Sequence, residues 1–427
     1  MLEQETAYYR SLDKDWVATL EEIRRLDGFG DFLRPDSFAT LQRAAANGPV
    51  VILNASEHGC DALVMTLSAV EHVPLPKFTM KLSRMLIKLI QSASGARNFP
   101  VAQLQALVQE TRSLLEPPHR DDRGIKFVNT TPDDIFRRVL ATLWTSVAAP
   151  IIRSLALTKS ESPPRLWWCP TGVFTFLPIH AAGLYDVQDG ERVSDYIVSS
   201  YTPTLSSRIV SLPPASDSFK IMAVIQPHVR GYSSLPCTRD ELERIEKHVP
   251  QKCLVTLGIP EAPATVENVL SHLSTVSIVH FACHGVQDAK RPLESALVLE
   301  DGEKLKISRI MEQPMPNASL AFLSACQTAM GDENLPDEAI HLAASLLFSG
   351  FHGAVATMWS MQDDDGPKIA DSFYGNLFKT HESPITDISH PYPDGTPAAR
   401  ALHLAVAKLR DEKCSFKRWV PFIHLGM

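Results

Sequence analysis

Two short runs of this chain carry side chains able to do acyl-transfer chemistry. One is Ser277-Ile-Val-His-Phe-Ala-Cys-His-Gly285 and the other is Leu320-Ala-Phe-Leu-Ser-Ala-Cys-Gln-Thr328. Each is an apolar run that reads as a buried strand, and each ends in a reactive residue, His284 in the first and Cys326 in the second. A free thiol is mostly protonated at neutral pH. A nearby imidazole can take that proton or stabilise the thiolate, and later protonate a leaving amine. An Ala-Cys context with a histidine 42 residues upstream suits such a pair. The oxyanion that forms on attack needs backbone N–H donors. Gly285 lets the backbone approach closely, and the N–H of Cys326 is the natural second donor.

Other readings of the same residues stay open beside this one. Cys326 could be a packed, inert thiol. His280 and Cys283 read as structural residues, Cys283 pointing to the opposite side of its strand from His284. A zinc site from His280, Cys283, His284 and Cys326 is disfavoured, because neighbours on an extended chain chelate one ion poorly. The dyad needs no metal and no organic cofactor. Gly231-Tyr-Ser-Ser-Leu235 lacks the second glycine of a serine nucleophile elbow, and 230–236 reads as a plain connection. No phosphate-binding glycine loop occurs.

The elements around these runs indicate how they are held. From about residue 218, short apolar strands alternate with amphipathic helices. Strands are expected at Ile221–Ile225, Cys253–Leu257, Val276–Phe281, Leu320–Leu323 and Ala354–Met358. Helices are expected at 239–249, 264–273, 338–349, 366–379 and 398–412, with a hairpin at Asp301-Gly302. That alternation predicts an α/β fold with a mostly parallel sheet and helices on both faces. Its binding site belongs beyond the carboxyl ends of the strands, where His284 and Cys326 fall. Upstream, residues 1–44 read as a helical segment, with Trp16, Leu20, Ile23 and Leu26 on one buried face. Residues 45–215 read as a helical and mixed lobe. Strands are expected at 49–54 and 60–67, helices at 78–114 and 133–157, and a strand-turn-strand at 165–178. Residues 216–427 form the catalytic domain in this division.

Composition limits the partners. The 41 basic and 49 acidic residues give a net charge of −8 without a basic stripe, which argues against nucleic acid. The opening residues carry no apolar signal core, and no run approaches ~18 apolar residues, so neither secretion nor a membrane is expected. The seven cysteines are scattered and form no C-x-x-C pair. Reduced thiols in the cytoplasm, or the nucleus, are expected.

The runs His280-Phe-Ala-Cys-His-Gly285 and Leu323-Ser-Ala-Cys-Gln-Thr328 resemble those of the CHAT family of caspase-like proteins, relatives of caspases and separases. Supporting segments follow in order. They are Leu235-Pro-Cys-Thr-Arg-Asp-Glu-Leu242, Ala343–Gly353, Ala356-Thr-Met-Trp359 and Trp419-Val-Pro-Phe-Ile-His-Leu-Gly426. Pro49–Asn54 and Cys60–Leu63 resemble the start of the same module in fungal members. The resemblance implies a caspase-like fold and a cysteine endopeptidase, with His284 as general base and Cys326 as nucleophile. It also implies a protein substrate and a regulatory protein partner. The alternative is a catalytically silent module that keeps the fold. Members often carry tetratricopeptide repeats upstream, and none is visible here. In separases, an acidic residue after the tryptophan equivalent to Trp359 binds a basic P1 side chain. Asp363 matches that position, while Asp365 reads as a helix cap. Metacaspases carry an acid two residues before the cysteine; here that residue is Ser324.

Overall fold

The computed structural model describes residues 2–30, 32–115, 131–209, 219–288, 291–324, 342–379 and 397–427. Cys326 therefore lies outside the described residues. Fourteen strands occur among those described. In the first half they are β1 (Val50–Ser56), β2 (Gly59–Met65), β3 (Val70–Pro74), β4 (Arg165–Pro170) and β5 (Val198–Tyr201). In the second half they are β6 (Ile221–Ile225), β7 (Leu254–Leu257), β8 (Ile278–Ala282), β9 (His284–Val286), β10 (Ala296–Val298), β11 (Lys304–Lys306), β12 (Leu320–Ser324), β13 (Gly353–Thr357) and β14 (Phe422–Gly426).

Eleven of them make one sheet, in the order β3-β2-β1-β4-β5-β14-β13-β12-β8-β6-β7. Neighbours run parallel from β1 through β4 and β5 to β14, and again from β13 through β12, β8 and β6 to β7. Only the β1–β2, β2–β3 and β13–β14 pairings are antiparallel. The α/β class and the mostly parallel sheet are as the alternation predicts. All residues of β6, β8, β12, β13 and β14 are buried, which requires cover on both faces. The apolar runs become strands because only a doubly covered sheet hides side chains that point both ways.

The sheet crosses the boundary expected near residue 215. β14, from the end of the chain, lies between β13 and β5 and joins the two halves edge to edge. The helical stretch Pro132–Ser154 is long and apolar enough to cross a membrane, but 67% of its apolar 18-residue window is buried in the protein. Its Phe136 stacks near Trp359 and Phe416, so it serves as a core helix shared by both halves.

Several expectations need correction. Residues 172–176 form a short 3-10 helix where a second strand was expected, because Gly172 takes a left-handed φ of +54° and turns the chain. The helix Leu2–Arg24 forms, but its apolar side is not buried: Trp16 is 56% and Leu26, just beyond it, 59% exposed. Leu20 and Ile23 on the same side are only half-buried. The helical stretch expected at 78–114 divides into Met80–Ser94 and Val101–Leu115, broken by Gly95 at a φ of +77°. Strands β3, β5, β9 and β14 were not expected.

Candidate active site

β8 ends at Ala282, and the buried Cys283 carries the chain out of the main sheet. His284 then opens β9, which pairs with β10 in a separate three-stranded sheet. In that pairing His284 stands opposite Val298 and Gly285 opposite Leu297. The His284 ring is half-buried and held from the far side by the loop that follows β6. Its Nε2 lies 2.7 Å from the carbonyl oxygen of Ser233. The Tyr232 ring stacks on it at 5.1 Å, with 29° between the planes.

A carbonyl oxygen accepts and cannot donate. The contact therefore puts a hydrogen on Nε2 and leaves Nδ1 as the nitrogen free to take a proton. The loop is built to hold this position. Gln226 N–H donates to the Ala282 carbonyl at 2.9 Å, Leu235 N–H to the Pro227 carbonyl at 2.9 Å, and Gly231 takes a φ of +85°. Segment 230–236, read above as a plain connection, is thus the part that orients His284. No side-chain pattern signals this, because the acting group is a backbone carbonyl.

β8 and β12 are parallel, with Ala282 opposite Ser324 at their carboxyl ends. Side chains alternate along a strand, so His280 and Ala282 share a face with Phe322 and Ser324. His280 is fully buried there. Its ring stacks on Phe322 at 4.7 Å. Its Nε2 donates to Glu241 Oε1 at 3.0 Å, and its Nδ1 meets the Tyr374 hydroxyl at 3.1 Å. Ser324 Oγ donates to the other oxygen, Glu241 Oε2, at 3.1 Å. Glu241 is 2% exposed. His280 is a satisfied core histidine, as expected. Glu241 is a buried acid not singled out in the sequence, although it lies in the Leu235–Leu242 segment.

Asp363 lies beyond the carboxyl end of β13, half-buried. Its Oδ2 accepts from the backbone N–H of Cys237 at 3.0 Å, satisfying the first turn of helix Cys237–Glu246. The Cys237 thiol is pushed up to about 11 by burial and by the neighbouring Asp363. Asp365 was expected to cap the following helix. It is fully buried and instead turns both oxygens to Arg418, whose Nε lies 2.9 and 3.0 Å away. Burial raises the Asp365 carboxyl, and the guanidinium opposes that shift. Arg418 also reaches Asp364 at 2.8 Å. Among the three acids, Asp363 alone is not tied to Arg418.

The structure thus brings His284, Gly285, Asp363 and Ser324 to the carboxyl ends of neighbouring elements. Cys326 belongs to the stretch 325–341, outside the described residues. Among the described residues no group of three His, Cys, Asp or Glu is placed to hold a metal ion.

The CHAT domain model matches residues 137–427, and the chain belongs to the CHAT family. None of the curated proteins matches this sequence. Among solved structures, the chain is similar to Saccharomyces cerevisiae separase, in two crystals of its complex with securin. In one the TM-score is 0.52 at 11% identity, covering 91% of this chain and 30% of that one. In the other it is 0.50 at 11% identity, covering 94% and 32%. The chain thus spans about a third of the length of the separase it matches. A fainter match, with a TM-score of 0.42 at 10% identity over 70% of this chain and 68% of that one, is the Arg-specific cysteine proteinase gingipain R. The fold is caspase-like.

Proposed function

We propose that this protein is a cysteine endopeptidase in which Cys326 attacks the scissile carbonyl and His284 Nδ1 serves as its base. The observation that carries the reading is the Ser233 carbonyl on His284 Nε2 at 2.7 Å. Other histidines of this chain also bond a carbonyl, His180 and His352 among them, but His284 does so beside the carboxyl ends of β8 and β12. A general base needs one nitrogen without hydrogen, because only that nitrogen can accept the thiol proton. The register supports the partner. Ala282 and Ser324 stand side by side, and two residues further on each chain are His284 and Cys326.

In this mechanism Nδ1 takes the Sγ proton and the thiolate adds to the carbonyl carbon. The N–H groups of Gly285 and Cys326 receive the oxyanion. The imidazolium then gives its proton to the leaving amine, and water, activated by the same nitrogen, releases the acyl group. No cofactor enters these steps. The substrate is a protein, cleaved after a basic residue that Asp363 receives. The separase neighbours were crystallised with securin, and by that likeness a protein partner regulates this chain too. We place it in the cytoplasm or nucleus, where its thiols stay reduced.

A peptide library tests this reading. Wild-type protein should cleave a subset of peptides and Cys326→Ala should cleave none. A library left intact by the wild type, or cut equally by both, would overturn it.

A further inference from the structure

We propose that Glu241 is a positioning residue that clamps the two strands leading to the dyad, β8 at its middle residue His280 and β12 at its last residue Ser324. The inference rests on the peptidase reading, but its geometry is independent of it. Glu241 sits on helix Cys237–Glu246 with one oxygen on each of two strands. Oε1 receives His280 Nε2–H from β8 at 3.0 Å, and Oε2 receives Ser324 Oγ–H from the last residue of β12 at 3.1 Å. On its other ring nitrogen, Nδ1, His280 meets the Tyr374 hydroxyl at 3.1 Å. The chain Tyr374, His280, Glu241, Ser324 thus ties two helices to two strands.

A buried carboxylate is an expensive way to fill space. Apolar residues of similar volume often match or exceed the stability of such a pair. What the carboxylate supplies instead is direction, since a fully satisfied buried polar network rigidifies the strands it joins. The fold makes room for it. A Cβ at Gly366 would lie 2.6 Å from Glu241 Oε2 and 3.3 Å from Ser324 Oγ, so the helix that carries Tyr374 begins with glycine directly over the carboxylate. The placement matters for chemistry because of chain geometry alone. Cys326 follows Ser324 by two residues in the chain. His284 is four residues beyond His280. Asp363 holds the same helix at Cys237, one turn before Glu241. The Leu235–Leu242 segment acquires a role here: its glutamate supports the reacting side chains without touching substrate.

A mutant cycle of Glu241→Gln, Ser324→Ala and the double variant tests the proposal. It is read as kcat and KM on a cleaved peptide, and as the rate of Cys326 alkylation by iodoacetamide followed by intact mass. Each single variant should lower kcat about tenfold with KM within about twofold, as expected for a misplaced reacting group. The double variant should be no worse than the poorer single one, because the two residues act through one contact. Alkylation should change at least about threefold in both single variants, in one direction, and no further in the double. Additive losses would overturn the proposal. So would kcat losses matched by an equal loss of folded protein in circular dichroism. Glu241→Met separates packing from positioning: full kcat in a folded Glu241→Met protein also overturns it. If wild-type protein cleaves no peptide, the peptidase reading fails by itself. The alkylation cycle then decides the Glu241 proposal, and unchanged rates sink it.

Discussion

Asp363 has two tasks open to it, and one carboxylate can serve both. Its Oδ2 holds the Cys237 N–H, which needs only an acceptor. Recognition of a basic P1 side chain needs the negative charge. Asparagine keeps the first and loses the second, so Asp363→Asn should leave the thermal midpoint nearly unchanged. It should also cut the preference for Arg or Lys at P1 by about ten- to a hundredfold, the worth of a charge-assisted hydrogen bond of roughly 1.5–3 kcal/mol. A P1 scan of both proteins measures this. An identical profile in wild type and variant would reduce Asp363 to a helix cap. His284 and Asp363 could be singled out in the sequence as candidates because their side chains carry a signal. Ser233 was not, since its contribution is a carbonyl oxygen that every residue possesses. Glu241 was hidden differently: in an amphipathic helix an acid reads as solvated unless its partners, here 39 and 83 residues away, are known.

Elements were legible where burial is two-sided. The runs that became β6, β8, β12 and β13 are continuous and apolar, and their ends are punctuated by turns. β14 was visible as a family-like segment but not as a strand, and its place between β5 and β13 depends on pairing across the whole chain. The helix Leu2–Arg24 shows the opposite failure. Its spacing is genuine, but periodicity records what could be buried and not what packs there. One turn offers a sharp test at this scale. Gly258 follows β7 with a φ of +92°, and a Cβ on it would meet the Ile225 carbonyl oxygen at 1.8 Å, at the end of β6. Gly258→Ala should destabilise the protein by about 2 kcal/mol or more, since strain and a backbone clash add. Urea unfolding reads the change, and an unaltered midpoint would mean that this turn is not held as described.

Across the whole molecule, the join between the halves carries half-buried imidazoles. His180 Nε2 donates to the Val420 carbonyl at 2.9 Å, and its Nδ1 meets the Tyr201 hydroxyl at 2.9 Å, linking β5 to the approach to β14. Burial lowers His180 to about 4. Burial, then Arg410 and Arg400, lowers His403 to about 4. Both groups bind a proton more readily when the chain is unfolded, near 6.5. Their contribution is therefore complete above about pH 6.5 and is lost as pH falls toward 4. Stability should drop on the order of 2 kcal/mol per histidine between pH 7 and 5. Urea midpoints at the two values check this, and His403→Gln should flatten the slope; a slope unchanged by that substitution would contradict it.

The central claim is the pairing of Cys326 with His284. Its most direct measurement is covalent capture: the protein is treated with a chloromethyl ketone bearing a basic P1 residue, and the adduct is located by peptide mass mapping. One adduct is expected, on Cys326, formed at least about a hundredfold more slowly in His284→Ala. An adduct on another cysteine, or labelling of Cys326 at the same rate without His284, would contradict it.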